Sequence, residues 1–155
     1  MNIETYNSIR QRCSWPSLYY GIVSNVINEN NYKKCVEVGI GYGFHAKEIL
    51  MNTQLDQLYL VDPMRWYPND DFSKDVGCDS FDDLANIIKL ELSSYENRYT
   101  WFRVSSLYIT QEQIPDESLD IVFLDAEHTF LAVISDIPFW YYLEMIIIWN
   151  QYLRL

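Results

Sequence analysis

The segment Glu37-Val38-Gly39-Ile40-Gly41-Tyr42-Gly43 places an acid two positions before three alternating glycines. Glycines let a chain turn tightly and let a ligand approach the backbone. A helix opening after Gly43 offers unpaired N–H groups to a carboxylate or phosphate. The chain has 5 glycines, and three fall in this segment, which favours a ligand loop over a plain strand-to-helix turn. Two more acids end apolar runs: Asp62 after Tyr59-Leu60-Val61, and Asp125 after Val122-Phe123-Leu124. Taken alone, Asp62 also reads as an ordinary Asp-Pro turn residue. His128 stands three residues beyond Asp125. A neutral imidazole near pH 7 can take a proton from a hydroxyl; it can equally cap a helix or bond Asp125 structurally.

Elements alternating between strand and helix position these groups. Leu18 to Ile27 has a helical period, with Ser14 or Ser17 as cap and Pro16 in the first turn. Lys34–Val38 reads as a strand, Phe44 to Met51 as a helix, and Leu58 to Val61 as a second strand. Residues 64–78 read as a loop rich in polar and aromatic residues, with Asp70, Asp71 and Asp75 as solvated acids. Asp79 or Ser80 caps a helix from Phe81 to about Tyr95. Tyr99 to Val104 and Leu119 to Leu124 are strands three and four, and a helix runs from about Phe130 to Tyr142. Met145 to Trp149 fits a fifth strand or a continuation of that helix. This alternation calls for an α/β fold, a parallel sheet with helices on both faces, whose ligand sits at the carboxyl ends of the strands. Glu37, Asp62 and Asp125 fall there. His45 opens the first crossover helix and reads as a surface group. Trp66 and Tyr67 read as adenine-stacking residues or loop anchors.

The totals narrow the function. Over 155 residues, 49% are hydrophobic and 16% aromatic, enough for the core of a single domain. Asp and Glu number 22 against 11 Lys and Arg, a net charge of -11. Such a chain repels nucleic-acid backbones and anionic membranes, so a small or neutral substrate, or a basic partner, fits better. Cys13, Cys35 and Cys78 form no C-x-x-C, which points to reduced thiols in a cytoplasmic compartment. No basic-then-apolar leader opens the sequence, and the apolar run from Phe130 to Trp149 is broken by Asp136, Pro138 and Glu144, so no membrane span is expected.

Acid-x-Gly-x-Gly-x-Gly resembles motif I of the class I S-adenosylmethionine-dependent methyltransferases. It departs from the dinucleotide fingerprint G-x-G-x-x-G, because Phe44 holds the third glycine position. Ser118-Leu119-Asp120-Ile121-Val122-Phe123-Leu124-Asp125-Ala126-Glu127-His128-Thr129-Phe130 resembles motif IV of a small-molecule subgroup, continued by Val133, Asp136, Ile137 and Trp140. The resemblance covers about residues 33–143, between a helical lead-in at 1–32 and a divergent end at 144–155. It implies a Rossmann-like methyltransferase fold with S-adenosyl-L-methionine as cofactor. Glu37, Gly39, Gly41 and Gly43 would hold the methionine end. Asp62 would hold the ribose hydroxyls, since its two oxygens suit a vicinal diol. Ser105 would lie by the adenine, and Asp125 and His128 by the transferring methyl. Metal-dependent relatives need a further Asp-Asn pair; none follows Asp125, so no metal is expected.

The sequence departs from that family after residue 142. No Gly-Gly turn appears, and strands six and seven are not expected. The reading is a C-terminally truncated methyltransferase whose exposed sheet edge is covered in a homodimer or by a partner chain, or which has limited stability. Two alternatives stand beside methyl transfer to a hydroxyl: an inactive cofactor-binding remnant or partner subunit, and a nucleotide-binding oxidoreductase.

Overall fold

The computed structural model describes residues 1–12, 16–68, 71–77, 80–126, 135, 137–138, 140 and 146–149. Five strands form one sheet: β1 (Lys34–Val38), β2 (Gln57–Val61), β3 (Tyr99–Phe102), β4 (Ile121–Leu124) and β5 (Ile146–Trp149). Their order is β3-β2-β1-β4-β5, and every pairing is parallel. Residues 146–149 therefore form a strand beside β4, which decides between the two expectations for that segment.

The strand sequences alternate between two cores, as the two-residue period of a strand requires. Cys35, Leu58, Leu60, Ile121 and Phe123 pack on one face with Val23, Ile27, Ile49, Leu84 and Ile88. These last five belong to helices α2 (Pro16–Asn30), α3 (Phe44–Asn52) and α5 (Phe81–Glu91). Val36, Val38, Val61, Val122 and Leu124 pack on the other face with Ile109, Ile114, Leu119 and the helical residues Ile137 and Trp140. A parallel sheet must be covered on both sides, and the near-continuous apolar runs of β1, β2 and β4 follow from that.

Several boundaries differ from the expected ones. An additional helix, α1 (Ile3–Arg12), precedes α2, which itself starts at Pro16, so Ser17 lies inside the helix; Ser14 is outside the described residues. The loop expected at 64–78 contains a short helix, α4 (Asp71–Val76), and Ser73 Oγ accepts the Tyr67 N–H at 3.0 Å. α5 ends at Glu91, and Ser93–Tyr95 forms a tighter turn. β4 begins only at Ile121, because Asp120 turns its carboxylate to the N–H groups of Lys33 and Lys34, at 2.6 and 2.8 Å. Among the described residues no helix is long and apolar enough to cross a membrane.

Candidate functional site

The strand order reverses between β1 and β4, since β1 leads outward to β2 and β3, and β4 to β5. In open α/β sheets this switch point opens a crevice at the carboxyl ends of the strands. Gly39 to Gly43 leaves β1 there, and Asp62 and Asp125 follow β2 and β4 directly.

Backbone hydrogen bonds join the three connections. Gly39 N–H donates to Val61 O at 2.9 Å, and Asp125 N–H donates to Val38 O at 2.8 Å. Gly39 has a φ of +84°, and a Cβ there would stand 2.5 Å from Ala126 Cα and 2.6 Å from Asp125 O. Only glycine lets the β1 loop pass this close to the end of β4. Gly41 differs: its φ is +49°, and an added Cβ would meet nothing within 4 Å. The loop thus presents open space at Gly41 and closed packing at Gly39. Gly43 caps α3 and contributes no side-chain hydrogen bond, so the first N–H groups of α3 have no side-chain cap. A Cβ on Gly43 would press on Ile88 Cγ2 at 2.8 Å.

Asp62 ties the loop to β2. Its Oδ2 accepts the Ile40 N–H at 2.9 Å, and its Oδ1 accepts the Met64 N–H at 2.7 Å. Removal from water pushes the Asp62 carboxyl above the usual range, and the N–H groups of Ile40, Met64 and Gly41 and the charge of Arg103 pull it back. Each carboxylate oxygen has two lone-pair sites, so acceptor capacity remains.

Glu37 lies on the face of β1 that α3 covers, 1% exposed. His45 Nδ1 stands 2.9 Å from Glu37 Oε1. His45 is itself 3% exposed, and its ring meets Phe123 edge-on at 4.6 Å. It is therefore not the surface group the sequence suggested: the second position of α3 points at the sheet, beneath the loop. Glu37 Oε2 has no hydrogen-bond partner among the described residues. Burial pushes the Glu37 carboxyl up, His45 pulls it down, and the charges of Asp125 and Asp62 push it up again. Asp125 and Asp62 thus stand near enough to Glu37 for their charges to act on it.

Two further residues support the loop and were not signalled by the sequence. Tyr6 of α1 is 1% exposed and donates its hydroxyl to Tyr42 O at 3.0 Å. Phe44 packs against both Tyr6 and Tyr42, with ring centroids 5.2 and 5.6 Å away. A lone Tyr in a polar helix, 36 residues before its partner, carries no local pattern.

The remaining expected residues fare differently. Ser105 follows β3, two strands from β1, and its carbonyl accepts the Tyr108 N–H at 2.9 Å. Trp66 and Tyr67 are exposed, and Arg65 lies 4.8 Å over the Tyr67 ring, so Tyr67 is a loop anchor. His128 lies outside the described residues, as do Cys13 and Cys78; Cys35 is buried and free. Among the described residues no group of three acids, histidines or cysteines is placed to hold a metal ion.

No protein-family model matches the chain, and no curated protein matches it. Solved structures do. A putative caffeoyl-CoA O-methyltransferase from Staphylococcus aureus superposes with a TM-score of 0.63 at 15% identity, over 94% of this chain and 65% of that one. A putative methylase from Haemophilus influenzae gives 0.53 at 16% identity, over 97% of this chain and 83% of that one. The chain thus spans 65% of the length of the first of these proteins. At these identities the likeness is one of fold. The chain has the Rossmann-like α/β fold of class I methyltransferases.

Proposed function

We propose that the chain binds S-adenosylmethionine at the carboxyl edge of its sheet and transfers the methyl group to a hydroxyl of a small molecule. One observation carries this reading: the carboxylates Glu37, Asp62 and Asp125 lie near one another beside a glycine loop and a helix start without a side-chain cap, and Glu37 Oε2 is buried with no partner among the described residues. Such a site attracts a cationic ligand and repels the pyrophosphate of a dinucleotide, which favours S-adenosylmethionine over a nicotinamide cofactor. Bound there, S-adenosylmethionine would supply a methyl group activated on a sulfonium.

The chain's own residues then take these roles. Glu37 accepts the ammonium group. The first N–H groups of α3 receive the carboxylate. Asp62 holds the ribose with its remaining acceptor capacity, and Gly41 leaves room beside the backbone. Ser105 lies toward the adenine. Asp125 faces the acceptor, and His128 takes the proton of the acceptor hydroxyl. Holding acceptor and methyl in line supplies most of the rate. The residues that build an acceptor wall are not among those described. Among the described residues no strand pairs with the outer edge of β5; a second copy or a partner chain would cover it, and a soluble monomer on size exclusion would contradict that part.

Calorimetric titration with S-adenosylhomocysteine tests the cofactor site. The wild type is expected to bind at micromolar concentration, and Asp62→Ala to bind at least about tenfold more weakly. Because Asp62 also anchors the Ile40 and Met64 N–H groups, circular dichroism must show that the variant is folded. A folded wild type that does not bind contradicts the reading. Full methyl transfer by His128→Ala would remove that residue's role as base.

A further inference from the structure

We propose that His45 is a positioning residue for the cofactor site: its Nδ1, 2.9 Å from Glu37 Oε1, fixes the carboxyl so that Oε2 is left to receive the ligand's ammonium group. This rests on the cofactor reading above and extends it to a residue outside the glycine loop.

The pair is sealed from water, at 1% and 3% exposure. A buried carboxylate oxygen with no donor is costly, and native interiors rarely keep one without a use. Among the described residues no lysine or arginine acts on Glu37. The charged groups nearest to it are His45 on α3, Asp62 after β2 and Asp125 after β4, and two of these three repel it. Among the described residues His45 is thus the group that favours the ionised Glu37, and an ammonium ion is the kind of ligand that completes it. Geometry supports the division of labour. His45 is held by α3 and by the Phe123 ring, so it approaches Glu37 from the core side. Oε2 is the oxygen left for the ligand.

The test compares two ligands by calorimetry. S-adenosylhomocysteine carries the amino-acid end; 5′-methylthioadenosine has the same nucleoside and lacks that end. His45→Phe keeps the ring shape and removes the donor. It is expected to weaken S-adenosylhomocysteine binding by about tenfold or more and to leave 5′-methylthioadenosine within about twofold of wild type. His45→Asn places an amide N–H near the original Nδ1 and is expected to restore most of the lost affinity. Equal losses for both ligands, or no loss for either, would overturn the assignment. A wild type that binds 5′-methylthioadenosine but gains nothing from the amino-acid end also overturns it, while leaving the cofactor reading in place. A wild type that binds neither ligand overturns both. Should His45→Phe not fold, His45→Ala is measured with and without free imidazole: recovery of S-adenosylhomocysteine affinity supports the role, and no recovery overturns it.

Discussion

The two ends of the sheet treat charge in opposite ways. At the amino end two charged side chains, Arg98 and Asp120, are answered by backbone groups. Arg98, just before β3, donates to the carbonyls of Leu50, Thr53 and Leu55 at 2.9 to 3.0 Å, closing the end of α3 and the entry to β2. Asp120, just before β4, accepts two backbone N–H groups that start β1. At the carboxyl end the charges of Asp125 and Asp62 push the buried Glu37 carboxyl up, and one oxygen of Glu37 has no donor among the described residues. The amino end is built for stability. At the carboxyl end the Glu37 carboxyl keeps one oxygen without a donor among the described residues, as expected where a ligand supplies the missing partner.

Substitutions can sharpen that contrast. Gly39→Ala is expected to have the largest effect, since its Cβ meets backbone atoms of Asp125 and Ala126 and its φ is left-handed. We expect a loss of about 3–5 kcal/mol by denaturant unfolding, with ligand binding abolished. Arg98→Met at the opposite end is expected to cost about 2–4 kcal/mol, because three carbonyls lose a charged donor. Folded Arg98→Met should bind S-adenosylhomocysteine within about twofold of wild type. A large, selective loss of affinity there would break the division between the two ends. Tyr6→Phe removes the bond to Tyr42 O and should cost about 1 kcal/mol, with a weakened loop visible as faster amide exchange at residues 40–43.

Glu37→Gln is expected to change stability least and in the opposite direction. The Glu37 and Asp62 carboxyls are raised in the folded state. Their contribution is therefore fully present below the ordinary carboxylate range and is lost as pH rises through their raised values. Removing one such charge should raise the Tm of the ligand-free protein at pH about 7.5 while weakening S-adenosylhomocysteine binding about tenfold. Glu91 supplies the control. Lys47 and Arg10 hold its carboxyl below the usual range, so its contribution is present at neutral pH and lost as pH falls through its lowered value. Lowering the pH from neutral toward the ordinary carboxylate range should thus strengthen the ligand-free fold through Glu37 and Asp62 and weaken cofactor binding. Thermal melts and titrations across that range check both signs.

What the sequence revealed follows the same division between local and distant causes. The strands β1, β2 and β4 were legible because a parallel sheet demands short apolar runs, and the glycine loop because glycine was concentrated there. The short end of β4 was not legible, since Asp120 leaves the strand to bond Lys33 and Lys34, which are far away in sequence. α4 was missed because a six-residue helix carries too little periodicity to register. His45 was misread for a related reason: one polar residue at a helix start looks solvated until the facing acid is known. The three acids stand out in the sequence because Glu37 lies near the end of its strand and Asp62 and Asp125 directly follow theirs.

The most direct measurement of the central claim is hydrogen–deuterium exchange with and without S-adenosylmethionine. The account predicts slower exchange at residues 37–45 and 62–64 in the presence of the ligand, and no change at 33–34, 98 or 119–120. Protection confined to the amino end, or none anywhere at saturating ligand, would contradict it.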